Sequence, residues 1–515
     1  MDKKTLLRLG LALTAIGVFG WRHFASAPAA SEDAHAAPVM AIAANAKTFT
    51  LGTLAFKACE LPQKHSGATT SAFCTPFAAA ENRAAPNGRK IDLHLALIKS
   101  DANVADRDIV VFLAGGPGQA AIDTWPGIAP AFAPLLEHHH VLLLDQRGTG
   151  GSNALECKAD ENEQGGDAGF DAAKVRARTQ ACLADVARHA DPRYYTTTDA
   201  VADLEAVRQA LGAPRLDLVG VSYGTRLAQQ YAMRHAEGVR SIVLDSAVPN
   251  AAALGQDFAV NLDAALKLQF AECVKAPACH KAFGDPMVSL FALRDALQQH
   301  PQDYRYRDPV TFETTTKRLS GDTLAGLVRL FAYTPETAAL LPLSIAQGLK
   351  GDDTPLAGQT QVLRGDMSEL SANAMQLSVV CSEDVDRLAP RPQDETSLLG
   401  NDLVRSIQAA CDVWPRGARP ADFNAPLKTD IPVLILAGAF DPVTPPRYGE
   451  DIVANLSHGR LLVAAGQGHN VIGRGCLPKL VGEFVDKLDP KGLAAQCVEQ
   501  LGPTPAFVNF NGASP

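Results

Sequence analysis

Short apolar runs recur along the first half of the chain, at 109–113, 141–144 and 216–219, with a further strand-like stretch at 239–244. The first three are continuous rather than alternating, which is the pattern of strands covered on both faces. The stretch 91–98 alternates and predicts a half-buried strand. Between these runs lie helical patterns. Residues 199–212 form an amphipathic helix with Asp199 as N-cap and Gly212 as C-cap, and 225–232 continue as helix directly after the third apolar run. Two more apolar runs follow much later, at 431–437 and 460–464, with a last helix at about 478–488. Strand and helix alternating in this way predict an α/β fold with a doubly wound, mostly parallel sheet. From about 250 to 427 the pattern changes to helical segments with Pro-rich interruptions and no clean strand run. The expected organisation is therefore a core at 48–249, a mainly helical cap insertion at 250–427, the rest of the core at 428–489, and a partly irregular tail at 490–515.

Composition narrows the class. The chain has 515 residues, 47% hydrophobic and 20% charged, enough to bury a sizeable core. Its formal net charge of −9 argues against a nucleic-acid binder, which needs a basic face. Lys3, Lys4 and Arg8 precede an apolar stretch at 9–21, and Ala34-His35-Ala36 offers a cleavage site; Ala25-Ser26-Ala27, next to Pro28, is a second. Residues 1–36 thus read as a signal peptide, with an uncleaved N-terminal anchor as the alternative, and 28–47 as a lead-in to the core. No other stretch is long and apolar enough to cross a membrane, so no membrane partner is expected beyond that anchor. The protein is expected to be exported, periplasmic or secreted. Ten cysteines agree with export. They fall into sequence-near pairs, Cys59 with Cys74, Cys157 with Cys182, Cys273 with Cys279, Cys381 with Cys411 and Cys476 with Cys497. Neighbour pairing is the expectation, although spacing alone leaves connectivity open. A zinc site is poorly supported, because no Cys-x-x-Cys occurs. His138-His139-His140 leads straight into a strand and is not read as a ligand set. No metal and no cofactor are expected.

The third apolar run carries the chemistry. It meets Gly220-Val221-Ser222-Tyr223-Gly224, a Gly-x-Ser-x-Gly turn between strand and helix. Such a turn holds its serine on a strained backbone, and glycines on either side let strand and helix approach. A serine hydroxyl is a weak nucleophile that needs a base, and the base needs an orienting carboxylate. Asp441 follows the run 431–437, and His469 follows the run 460–464 in Gly466-Gln467-Gly468-His469. Read alone, Asp441 fits a turn former before Pro442, and His469 fits a glycine-rich loop. In the order Ser222, Asp441, His469, each just past a strand, they match the triad of α/β-hydrolases. Ser222 is the expected nucleophile, His469 the base and Asp441 its orienter. An oxyanion hole in this fold takes the N–H after the nucleophile, here Tyr223, and one from the turn after an early strand, here Gly115-Gly116. Asp145-Gln146-Arg147-Gly148-Thr149-Gly150-Gly151-Ser152 is read as structural, with Asp145 and Arg147 holding loops.

These motifs resemble a known family. Ala114-Gly115-Gly116-Pro117-Gly118 is similar to the His-Gly-Gly-Pro-Gly loop of proline iminopeptidases, with Ala114 in place of the histidine. Asp145–Gly150 and Gly220–Gly224 fit the same family. Gly438-Ala439-Phe440-Asp441-Pro442-Val443-Thr444-Pro445 with Gly466–His469 looks like the C-terminal region of secreted tripeptidyl aminopeptidases. The resemblance runs from about 50 to 488, with the cap matching least. It implies an α/β-hydrolase fold and an exported serine aminopeptidase that releases N-terminal residues or short (tri)peptides from peptides with a free N-terminus. It names Gly116 as the second oxyanion donor. It also implies acidic residues from the cap that grip the substrate's α-ammonium, for which Glu383 and Asp384 in Cys381-Ser382-Glu383-Asp384 are the candidates; the plain alternative is a solvated or capping pair. A carboxylesterase or lipase-like enzyme with the same triad is the competing function, because fold and triad serve many acyl substrates. A non-catalytic binding protein on the same fold is opposed by the complete triad.

Overall fold

The computed structural model describes residues 48–62, 69–100, 109–157, 170–307, 312–361 and 373–513. The expected signal peptide or anchor and the lead-in before residue 48 lie outside the described residues. Ten strands form one sheet, in the order across it of β1 (Thr48–Leu51), β2 (Leu54–Pro62), β3 (Thr69–Ala80), β4 (Lys90–Ile98), β6 (His140–Leu144), β5 (Ile109–Leu113), β7 (Leu216–Val221), β8 (Val239–Asp245), β11 (Val433–Gly438) and β12 (Gly459–Ala464). The centre is parallel: β5 (Ile109–Leu113) pairs with β6 (His140–Leu144) on one side and with β7 (Leu216–Val221) on the other. The parallel run continues through β8 (Val239–Asp245), β11 (Val433–Gly438) and β12 (Gly459–Ala464). Strands β5, β6, β7 and β11 are buried along their whole length, as continuous apolar runs require.

The N-terminal edge departs from the expected pattern. Four strands, β1 (Thr48–Leu51), β2 (Leu54–Pro62), β3 (Thr69–Ala80) and β4 (Lys90–Ile98), form an antiparallel meander joined to β6. Of these only β4 is legible in the alternation. Strands β2 and β3 bury only a few positions each, so their sequences carry little periodic signal. The amphipathic helix is Thr197–Leu211, capped by Thr196 rather than Asp199; Asp199 closes the capping box from the third helical position, and Gly212 ends the helix at φ 64°.

The insertion is not purely helical. Strands β9 (Gln302–Arg307) and β10 (Thr314–Leu319) form a hairpin within it. Their alternation is of charged and polar residues, which hides them from an apolar reading. Helices Phe258–Lys275, Pro286–Gln299 and Gly321–Phe331 share a core of their own around Leu262, Leu266, Leu290, Leu324 and Val328. Helix Asn373–Glu383 behaves differently, burying Met375, Val379 and Cys381 in the core on the sheet face.

All five expected disulfides are present: Cys59–Cys74, Cys157–Cys182, Cys273–Cys279, Cys381–Cys411 and Cys476–Cys497. Such bonds belong to an oxidising, exported environment. Among the described residues, no helix is long and apolar enough to cross a membrane.

The loop after β6 is a strut. Asp145 accepts from Ile122 N and Gly151 N at 2.9 and 3.0 Å. Arg147, fully buried, donates Nε and Nη2 to the two Asp203 oxygens at 2.6 and 2.7 Å and Nη1 to the carbonyls of Glu81 and Tyr194. Arg83 also pairs with Asp203, so removing Arg147 leaves Asp203 a cation, whereas removing Asp203 strands the buried Arg147 charge. Asp203→Leu is therefore expected to cost about 3 kcal/mol in urea unfolding, while adding Arg147→Met recovers much of it.

Candidate active site

Sheet register brings the site together. Leu113 of β5 lies opposite Gly220 of β7, so the Gly115-Gly116 turn and Ser222 emerge side by side where strand order reverses. Gly438 of β11 lies opposite Ala464 of β12, which places the Asp441 and His469 loops next to each other.

Ser222 sits between β7 and helix Tyr223–Arg234 at φ 55°, ψ −122°, a region L residues avoid. The flanking glycines are required by contact. A Cβ on Gly220 would meet Gly224 O at 2.6 Å, and one on Gly224 would meet Leu113 O at 2.0 Å. Ser222 N is held by Asp245 O at 2.9 Å.

His469 Nε2 lies 3.0 Å from Ser222 Oγ, and its Nδ1 lies 2.8 Å from Asp441 Oδ2. Asp441 is held in turn: Oδ1 accepts from Val443 N and Thr444 N, both at 2.8 Å, and Oδ2 accepts from Thr444 Oγ1 at 2.9 Å. Thr444 Oγ1 also stands 3.2 Å from His469 Nδ1. Burial opposes charge on both groups. On His469 it pulls the pKa down, but the adjacent Asp441 carboxylate and its hydrogen bond leave it above the usual imidazole value. On Asp441 burial pushes up, but His469 and the Val443 and Thr444 amides leave it below the usual carboxylate value. The geometry is that of a serine primed by a base whose tautomer a carboxylate sets.

The backbone of the histidine loop is anchored from two sides. From the cap, Tyr333 O accepts from His469 N at 2.7 Å, and the Tyr333 ring meets the imidazole edge-on at 5.2 Å. From below, Asp245 accepts from Val471 N and Ile472 N, and Ser246 Oγ accepts from Asn470 N. Burial pushes the Asp245 carboxyl up to about 6.

Gly116 and Tyr223 line one small cavity with Ser222, of about 30 Å3. Tyr223 opens its helix, so its N–H has no intrahelical partner. Gly116 takes φ 104°, a conformation open to glycine. Both residues thus border the space beside Ser222.

Glu383 and Asp384 are not among the residues lining this cavity. Both are fully buried. Asp384 accepts from Arg226 Nη1 at 2.8 Å and also pairs with Arg387. Glu383 accepts from Thr197 N at 2.6 Å and from Thr197 Oγ1 at 2.8 Å, and Thr197 Oγ1 lies 2.7 Å from Tyr223 OH. Burial, reinforced by Asp384, pushes the Glu383 carboxyl up to about 7 against the pull of Arg226. The expected ammonium grip is corrected accordingly: Asp384 ties the end of helix Asn373–Glu383 to Arg226 of the nucleophile's helix, and Glu383 ties it to Thr197 at the start of helix Thr197–Leu211. The acid that lines the cavity is Asp257, reached by Tyr448 OH at 3.0 Å and Arg391 Nη1 at 2.7 Å.

Sequence reasoning missed Thr444, Tyr333 and Asp257. Thr444 had a signal, a hydroxyl three residues after the candidate carboxylate. Tyr333 and Asp257 lie in the insertion, far along the chain from the motifs, and had none.

The site and sheet define a serine hydrolase of the α/β type. The chain belongs to the alpha/beta hydrolase fold family, which matches residues 108–473. It is 25% identical over 440 residues to serine protease Hip1 of Mycobacterium tuberculosis (strain H37Rv), covering 76% of this chain and 81% of the relative. It is 30% identical over 135 residues to the proline iminopeptidase of Neisseria gonorrhoeae, covering 26% of this chain and 31% of that protein. Among solved structures, the proline iminopeptidase of Mycobacterium smegmatis is 17% identical with a TM-score of 0.37, covering 80% of this chain and 98% of that one.

Proposed function

We propose that the protein is an exported serine aminopeptidase, periplasmic or secreted, that acts on peptides with a free N-terminus. Ser222 attacks the scissile carbonyl while His469 takes its proton, and the oxyanion forms against the N–H groups of Gly116 and Tyr223. His469 then donates the proton to the departing amine, and water releases the acyl segment from Ser222 by the same steps in reverse. The observation that carries the peptide reading is the acid in the cavity. Asp257 lies with Ser222 and Tyr223 along the same small cavity. Asp257 already holds Arg391 on Oδ1 and Tyr448 OH on Oδ2, so the α-ammonium of a peptide whose N-terminus enters the cavity shares this carboxylate with them. Similarity to a serine protease and to a proline iminopeptidase supports the same reading.

The test pairs one peptide unblocked and N-acetylated, with products read by mass spectrometry. Cleavage of the unblocked form alone is expected, and the product mass reports how many residues leave. Equal cleavage of both, with faster turnover of simple esters, assigns a carboxylesterase instead. Asp257→Asn is expected to raise KM for the unblocked peptide by about 10- to 100-fold, the worth of one charge-assisted hydrogen bond, and to leave acetate-ester turnover unchanged. Arg391 keeps Asp394 as a partner in that variant, so the fold is not put at risk.

A further inference from the structure

The cap presents a second charged group near the site. Helix Gly321–Phe331 runs down to Tyr333, whose carbonyl and ring both meet His469. Arg329 stands about one turn before Tyr333. Its Cζ lies 5.0 Å from the ring centroid of Phe258, and Phe258 lines the cavity beside Ser222. The Phe258 contact and the short run of chain to Tyr333 place Arg329 near the catalytic centre, next to a residue that lines the Ser222 cavity. Its charge is felt at His469, where it works against protonation of the imidazole.

Arg329 is half-buried, and among the described residues no carboxylate pairs with it. It opens onto a cleft of about 340 Å3 between the cap and helix Ala172–Val186. Three carboxylates line that cleft, but two are engaged elsewhere. Asp171 accepts from Ala173 N and Lys174 N, and Asp402 pairs with Arg405. Asp322, the third, is exposed.

An unpaired cation near a catalytic histidine is unfavourable on its own, because an imidazolium must form there during the reaction. It becomes favourable when the substrate brings an anion to it. The acyl part of the substrate occupies the Ser222 cavity, and His469 delivers its proton to the leaving group, so what lies on the His469 side is the leaving group. We propose that Arg329 binds a carboxylate carried by the leaving group of the substrate. For a peptide that carboxylate is either the C-terminus of a short chain or an acidic side chain just past the cleaved bond. The peptide form of this inference rests on the aminopeptidase reading; the carboxylate site rests only on serine hydrolysis.

The experiment uses two substrate sets on the wild type, Arg329→Met and Arg329→Lys. One set is a short unblocked peptide made as the C-terminal acid and as the amide, with a further amide pair carrying Glu or Gln just past the scissile bond. The other is the acetate ester of 4-hydroxybenzoate against that of 4-hydroxybenzamide. The carboxylate-to-amide ratio of kcat/KM is expected to fall by about 10-fold in Arg329→Met and to survive in part in Arg329→Lys, since a charged partner is worth that order. The acid/amide pair and the Glu/Gln pair tell terminus from side chain. Fluorophosphonate labelling of each variant checks that Ser222 remains primed. An unchanged ratio in Arg329→Met on both sets overturns the proposal. If the ester ratio collapses while no peptide is cut, Arg329 stands and the aminopeptidase reading fails. If peptides are cut with an unchanged ratio, the reading stands and Arg329 fails.

Discussion

Ser222→Ala is expected to lower kcat by about 10^6-fold and to abolish covalent labelling by a fluorophosphonate, with little change in thermal stability. The size follows from what the hydroxyl does. It is the atom that bonds to the acyl carbon, and without it only positioned water and the oxyanion donors remain. The stability expectation follows from the elbow. The strained backbone at φ 55° is imposed by the contacts of Gly220 and Gly224 with their neighbours, and these do not involve the serine oxygen. Alanine keeps the Cβ that packs beside Gly115. Single-turnover kinetics and labelling in parallel check both parts. A variant that still labels, or that keeps more than a small fraction of turnover, removes Ser222 as the nucleophile.

Asp441→Asn is expected to lower kcat/KM by about 10^4-fold and to move the acid limb of its pH profile. The first effect is geometric. A carboxylate at 2.8 Å from His469 Nδ1 keeps a proton on that nitrogen and leaves Nε2 free to accept from Ser222. An amide that turns its N–H toward Nδ1 selects the opposite tautomer, with Nε2 protonated and unable to act as base. The second effect has a definite sign. The base works as neutral imidazole, so kcat/KM of the wild type rises with pH through the His469 ionisation, at a midpoint above 6.5. Burial alone pulls that ionisation down, and Asp441 is the main group that outweighs it. Without the carboxylate charge the residual activity should gain its neutral base at lower pH, so the limb shifts toward acid. A limb that stays in place in Asp441→Asn shows that another group controls it.

The legible parts of this protein are those with local causes. The buried strands β5, β6, β7 and β11 announce themselves as mostly apolar runs, broken in β7 by Asp217, because both faces are covered. Ser222 is legible because the turn that exposes it tolerates only glycine at Gly220 and Gly224. Asp441 and His469 are legible because each ends a strand of the same sheet. Strands β2 and β3 escape notice because an antiparallel edge buries few residues per strand, and the β9–β10 hairpin because its residues are mostly polar and exposed.

Glu383 and Asp384 show the limit of a motif. Two adjacent acids beside a cysteine suggest a cation site, yet Arg226, more than a hundred residues earlier, already supplies the cation for Asp384, and Thr197 supplies the donors for Glu383. The sequence by itself determined the α/β sheet and the order in which Ser222, Asp441 and His469 follow its strands, because periodicity and turn sterics act over short stretches of chain, whereas cysteine spacing left connectivity open. Only the tertiary structure decided which acid lines the cavity, which carbonyl and ring hold His469, and where Arg329 stands. Those depend on how an insertion folds back over the sheet, and contacts between residues hundreds of positions apart leave no trace in local pattern.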